Sequence, residues 1–191
     1  MDIVLGVSAI LISVISLVVA IHHGQIMDKM VQADTWPYLD FVASNLDDAG
    51  HDRVSLTVLN SGVGPAKIET LEVFWNGKPY GSSTELLEAC CGFGSAAGLP
   101  ESRGPSEVAH RLHSSYAAGK VLRAGDTVQM ISYVFTTSED AVYKRFGAAR
   151  EKITYRVCYC SVFNDCWLSD GHDLDPPHVK SCLRPAVPYS E

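Results

Sequence analysis

The sequence predicts a mainly β domain carried behind one N-terminal apolar helix. Three observations support this. The run Ile3–Ile21 (IVLGVSAILISVISLVVAI) has no charged residue. Beyond Pro37 the apolar spacing changes from a helical period to strict alternation, the pattern of a half-buried strand. Turn signals then punctuate the chain at short intervals, with Asn76-Gly77 the strongest.

The apolar run would span about 28 Å as a helix, against a hydrocarbon core of about 30 Å. Residues 1–21 are therefore expected to form a single transmembrane helix. Met1-Asp2 offers no basic n-region and the run is long for a signal peptide, so the helix is expected to remain as an anchor. Gly6, Ala9, Ser13, Ser16 and Ala20 recur at steps of three and four. Small residues on one stripe let helix backbones approach in lipid, so the stripe is a candidate homodimer seam. Residues 22–35 continue the helix as a juxtamembrane linker, ended by Pro37. Lys29 is a faint vote for a cytoplasmic domain.

Residues 36–176 are expected to form the β domain. Leu39, Phe41 and Ala43 alternate first, and Asp47–Gly50 reads as a turn. Val54, Leu56 and Val58 follow, then a loop at Asn60–Pro65 whose Gly62 and Gly64 are expected to supply positive φ. Leu71, Val73 and Trp75 lead into the Asn76-Gly77 hairpin. Ser82 and Glu85 have capping-box spacing and Gly92 is placed to end a short helix. A long Gly/Ser/Pro-rich loop extends to Glu107. Thr127–Phe135 is the next strand, after an Ala124-Gly125-Asp126 turn. A second short helix is expected over Glu139–Ala149, capped by Ser138. A hairpin over Lys152–Leu168, turning at Asn164-Asp165, completes about seven strands. Such a count with turn-punctuated spacing indicates an antiparallel β-sandwich of immunoglobulin-like type with two inserted helices. Residues 177–191 read as a proline-containing tail.

The segments Trp36–Leu39, Asn60–Ala66, Cys90-Cys91-Gly92, and Cys158–Ser161 with Cys166-Trp167 resemble a group of uncharacterised bacterial single-pass membrane proteins. Those carry an N-terminal helix and a small all-β domain. The resemblance implies this architecture and no activity.

Composition narrows the function further. A formal charge of −7 argues against nucleic-acid binding, and no basic cluster flanks the helix to read anionic lipid. No G-x-S-x-G, H-E-x-x-H or S-x-x-K signature is present, so no enzymatic reading and no cofactor are expected. Gly92–Gly98 has phosphate-loop glycine spacing but no lysine. Asp170, Asp173 and Asp175 lack the order of a calcium loop and read as a solvated acidic turn.

Cys90, Cys91, Cys158, Cys160, Cys166 and Cys182 are the most specific chemistry. An even set of this density suits an oxidising compartment and internal bridges, which favours the periplasmic side of a bacterial inner membrane. Alternation puts Cys158 and Cys160 on the face opposite Tyr155, Val157 and Tyr159. Being i and i+2, they need separate partners. A two-residue turn at Asn164-Asp165 would place Cys166 on the core side and Trp167 beside Val162 outside. Six cysteines allow 15 pairings, which spacing does not resolve; the favoured bridges are Cys166 with Cys182, and one or both of Cys158 and Cys160 with Cys90 or Cys91. The outer face of this hairpin is too apolar to be left wet, so either the Cys90–Cys91 helix or the tail should cover it. Free, buried thiols in a reducing compartment are the next reading, and zinc held by Cys158, Cys160, Cys182, His172 and His178 the third. The leading functional expectation is a membrane-anchored interaction module with no catalysis of its own, binding an unidentified protein through a sheet edge or the Gly92–Glu107 loop. A thiol-redox or zinc-responsive sensor is the alternative.

Overall fold

A computed structural model of the chain describes residues 2–46, 50–94, 111–135 and 140–190. Two compact units result, Met1–Trp36 and Pro37–Glu191. The first is one helix, α1 (Asp2–Asp34). It is long and apolar enough to cross a membrane. The hydroxyl of Ser13 donates to the carbonyl of Ala9 at 2.8 Å, satisfying a polar group within the helix.

The second unit holds ten strands among the described residues, in two antiparallel sheets. In the first sheet β1 (Leu39–Leu46), β2 (Asp52–Asn60), β7 (Thr127–Val134) and β5 (Leu112–Ser114) lie in that order. The second runs β10 (His178–Val179), β9 (Cys166–Ser169), β8 (Ile153–Cys160), β3 (Ala66–Trp75), β4 (Lys78–Tyr80), with β6 (Val121–Leu122) also on β3. Both sheets contribute to one core. Leu39, Leu56 and Val58 from the first meet Leu71, Val73 and Val157 from the second. Phe41 of β1 stacks on Tyr155 of β8 with ring centroids 4.2 Å apart. Every inward position named here follows from alternation along its strand.

Helix α2 (Ser83–Cys91) starts where Ser82 Oγ accepts from Glu85 N at 3.2 Å. It ends at Gly92, at φ 74°, with the Gly92 and Phe93 amides bonded to the carbonyls of Glu88 and Leu87, the first of these being the bond of an αL closure. Its Leu86, Leu87 and Cys91 enter the core, as do Val142, Phe146 and Ala149 of α3 (Ala141–Ala149). The cap of α3 is Asp140, which accepts from Tyr143 N at 3.0 Å. Asp140 thus takes the role expected of Ser138, which with Glu139 lies outside the described residues. Asp140 also pairs with buried Arg111 at 2.9 Å, so this cap is tied to the core.

The Asn76-Gly77 turn forms as expected, with φ 51° and 76° joining Trp75 to Lys78. The loop after β2 does not close as expected: positive φ occurs at neither Gly62 nor Gly64. Buried Asn60 shapes it instead. Its Oδ1 accepts from the amides of Tyr38 and Gly62, and its Nδ2 donates to the carbonyls of Gly64 and Leu122. Of the Asp47–Gly50 turn only Gly50, at φ 81°, is described.

Residues 177–190, read from the sequence as a proline-containing tail, run as a strap on the second sheet. They fall within the second unit, where β10 pairs with β9 and Tyr189 is 2% exposed in the core. The edge of β3 shows why. Between β6 and β4 the strand would present free backbone groups, and the Tyr189 amide caps the Leu71 carbonyl there at 2.8 Å. A buried carbonyl left without a donor costs about 1–3 kcal/mol, which this strap avoids.

Candidate functional site

The site is built on the outer face of β8. Ile153, Tyr155, Val157 and Tyr159 face the core, while Cys158 and Cys160 lie outside that cluster and are still only 2% and 5% exposed. Residues 177–190 provide the cover, one of the two covers expected. Cys158 is bonded to Cys182 of the strap, Cα–Cα 5.6 Å.

The second bridge crosses the hairpin. Cys160 and Cys166 are directly opposed in register and bonded to each other. This overturns the expected Cys166–Cys182 bridge, and the turn explains it. Ser161 Oγ accepts from the amides of Phe163 and Asp165. Asn164 takes φ 65°, and the Ser161 amide bonds the Asp165 carbonyl at 2.8 Å. The connection therefore runs from Ser161 to Asp165 rather than over two residues. Cys166 moves opposite Cys160 instead of Phe163, an odd shift, and an odd shift transfers each side chain to the other face. Cys166 joins the cysteine face. Trp167 turns inward, 5.8 Å from Tyr159, and Val162 becomes part of the exposed loop.

The third bridge joins Cys90 to Cys91, replacing the expected links to Cys158 or Cys160. Cys91 sits in the core, on the other side of the second sheet from the outer cysteines. No cysteine is free.

Four sulfurs thus share one face. Those of Cys160, Cys166 and Cys182 lie within 4.8 Å of one another, and Cys160 Sγ is 3.9 Å from Cys182 Sγ, although the two belong to different bridges. The zinc set expected from the sequence does not assemble. His178 opposes Trp167 in register and packs its ring on it at 4.9 Å, so it lies with Trp167 on the far face from the sulfurs. His172 follows Gly171 in an exposed turn. There the Asp170 carboxylate accepts the amides of His172 and Asp173 and is held below its ordinary pKa.

Two clefts flank the strap. One, of about 440 Å³, is walled by Thr70, Glu72, Arg156, Cys158 and Leu168 from the sheet and by Leu183 to Ala186 from the strap. The other, of about 400 Å³, lies between Glu69 to Leu71, Tyr116 and the strap's Cys182, Pro185 and Pro188. Arg184 borders both. Glu72 and Arg156, opposed in register on β3 and β8, pair at 3.4 Å within the sheet wall of the first. Neither lining contains a histidine. The sequence reading missed Arg184 and Tyr189, although Pro185 and Pro188 signal an extended segment there.

The expected loop site, Gly92–Glu107, lies largely outside the described residues, which end at Gly94 and resume at Arg111. No protein-family model, curated protein or solved structure matches the chain.

Proposed function

We propose that the chain is a single-pass membrane protein that holds an immunoglobulin-like sandwich on the periplasmic side of a bacterial inner membrane, as a binding module without catalysis of its own. One observation carries the reading: every cysteine is bonded, and two of the three bridges pin the strap and hairpin that frame the paired clefts. Bridges of this kind persist in oxidising compartments. Leucine, valine and proline walls bordered by the Glu72–Arg156 pair, Glu69 and Arg184 suit an extended protein segment better than a reacting substrate.

Two experiments test it. Acid-quenched cells, alkylated under denaturing conditions, should yield a chain with no added label before reduction. Full labelling at that point would overturn the periplasmic placement. A photo-crosslinking residue at Leu183, which is 83% exposed beside the first cleft, should join one defined protein in the membrane. The same residue at exposed His113 should not. Equal yields at both positions, or none at Leu183, would overturn the cleft reading.

Self-association through Gly6, Ala9, Ser13, Ser16 and Ala20 is part of the proposal. All five are exposed along α1. Replacing Gly6 and Ala9 by Leu should abolish chemical cross-linking of the dimer in membranes, because the backbones then no longer approach.

A further inference from the structure

Two disulfides on one sheet face need not touch. Here they do: Cys160 Sγ lies 3.9 Å from Cys182 Sγ, about the van der Waals contact of two sulfurs. The remaining sulfurs, Cys158 and Cys166, are the outer members of the two bridges. Cys158 lines the larger cleft, and Cys182, half-buried, lines the other.

We infer that these four cysteines form a single two-electron thiol-exchange unit, in which a dithiol reductant converts the two bridges into one Cys160–Cys182 bridge. The steps balance. A thiolate of the dithiol attacks Cys158 Sγ from the cleft, and the Cys158–Cys182 bond breaks to release the Cys182 thiolate. That thiolate attacks Cys160 Sγ beside it, and the Cys160–Cys166 bond breaks to release Cys166, which takes up a proton. The second thiol of the dithiol, losing its proton, attacks its own sulfur in the mixed disulfide and releases Cys158, which is protonated in turn. One dithiol is oxidised to a disulfide, and the protein passes from two bridges to one. Entry at Cys166 leads to the same product, because the released Cys160 thiolate attacks Cys182 and expels Cys158. Thiol–disulfide exchange proceeds through such mixed disulfides wherever a thiolate reaches the sulfur under attack. The strap is tethered to β8 both before and after the exchange, because Cys182 begins bonded to Cys158 and ends bonded to Cys160. The inference goes beyond the binding role and does not depend on what the clefts hold.

The test uses the full chain in detergent with dithiothreitol as the probe. Graded reduction is quenched by alkylation. Trypsin and chymotrypsin then separate the cysteines, since Tyr159, Phe163 and Trp167 divide the first three and Lys180 precedes the fourth. The two-electron-reduced chain should carry a Cys160–Cys182 bridge with label on Cys158 and Cys166. Label on both partners of one original bridge, with the other bridge intact, would overturn the inference. Two single variants read the exchange without added reductant. Cys166→Ser should lose label from Cys160 and gain it on Cys158, whereas Cys158→Ser should lose it from Cys182 and gain it on Cys166. Label remaining on Cys160 in the first, or on Cys182 in the second, would equally overturn it. The unmutated chain decides the matter if either variant fails to fold.

Discussion

At the scale of single residues, Gly171 has little freedom to change. Its φ is 81°, and an added Cβ would meet the Phe41 ring at 2.5 Å. That ring cannot move aside without leaving Tyr155, on which it stacks. Gly171→Ala should therefore cost about 2 kcal/mol, combining a left-handed non-glycine residue with a displaced aromatic, measured as a lower urea midpoint. The buried tyrosines set a different limit. Burial, reinforced by the Asp140 carboxylate, pushes the Tyr133 hydroxyl up to about 12 against the opposing pull of Arg111. Burial likewise raises Tyr155 and Tyr159. A folded-state pKa above the unfolded one means that the folded state keeps its proton longer. The contribution is whole below the ordinary tyrosine value near 10 and is lost as pH climbs from there towards 12. Stability should fall across that window. Tyr133→Phe should show a shallower fall than the parent chain in urea titrations at successive pH values.

Among elements, the strap carries most of what was hidden in the sequence. Tyr189 fills the core and its amide completes the β3 edge. Tyr189→Ala should cost about 3–5 kcal/mol, as for other large buried aromatics, and guanidinium unfolding would measure it. A variant ending before Tyr189 should expose the second sheet and bind a hydrophobic dye. Alternation made β1, β2, β3, β7, β8 and β9 readable, whereas β5 and β6, of three and two residues, are too short to show a period, so ten strands stand among the described residues where about seven were expected. The caps at Ser82 and Gly92 were readable because capping has a local chemical signature. Three further features were not readable, each for a physical reason. A hydroxyl at Ser161 lengthened one turn and changed the face of Cys166. A carboxylate two residues beyond the expected serine took the α3 cap, where it also pairs with a buried arginine. A proline-rich segment without periodicity entered the core through one tyrosine. The outer-face placement of Cys158 and Cys160 was legible from the strand period. Their partners depended on a loop length that no period encodes.

For the whole molecule, the bridges divide unequally. Cys158–Cys182 spans a sequence separation of 24, and Cys160–Cys166 one of 6. By loop-closure entropy these are worth about 3.5 and about 2.4 kcal/mol. Replacing both members of the longer bridge by serine should thus lower the thermal midpoint more than replacing both members of the shorter. The reverse order in calorimetry would show that the turn, and not the strap, carries the greater constraint. The Cys90–Cys91 bridge joins neighbours and constrains the unfolded chain far less. Tyr189 has one more consequence, in time rather than in energy. The core that begins at Leu39 is not full until Tyr189 arrives, so a ribosome must deliver almost the whole second unit before that unit can close. Any factor that guards the newborn chain, or oxidises it in the right order, has that interval in which to act.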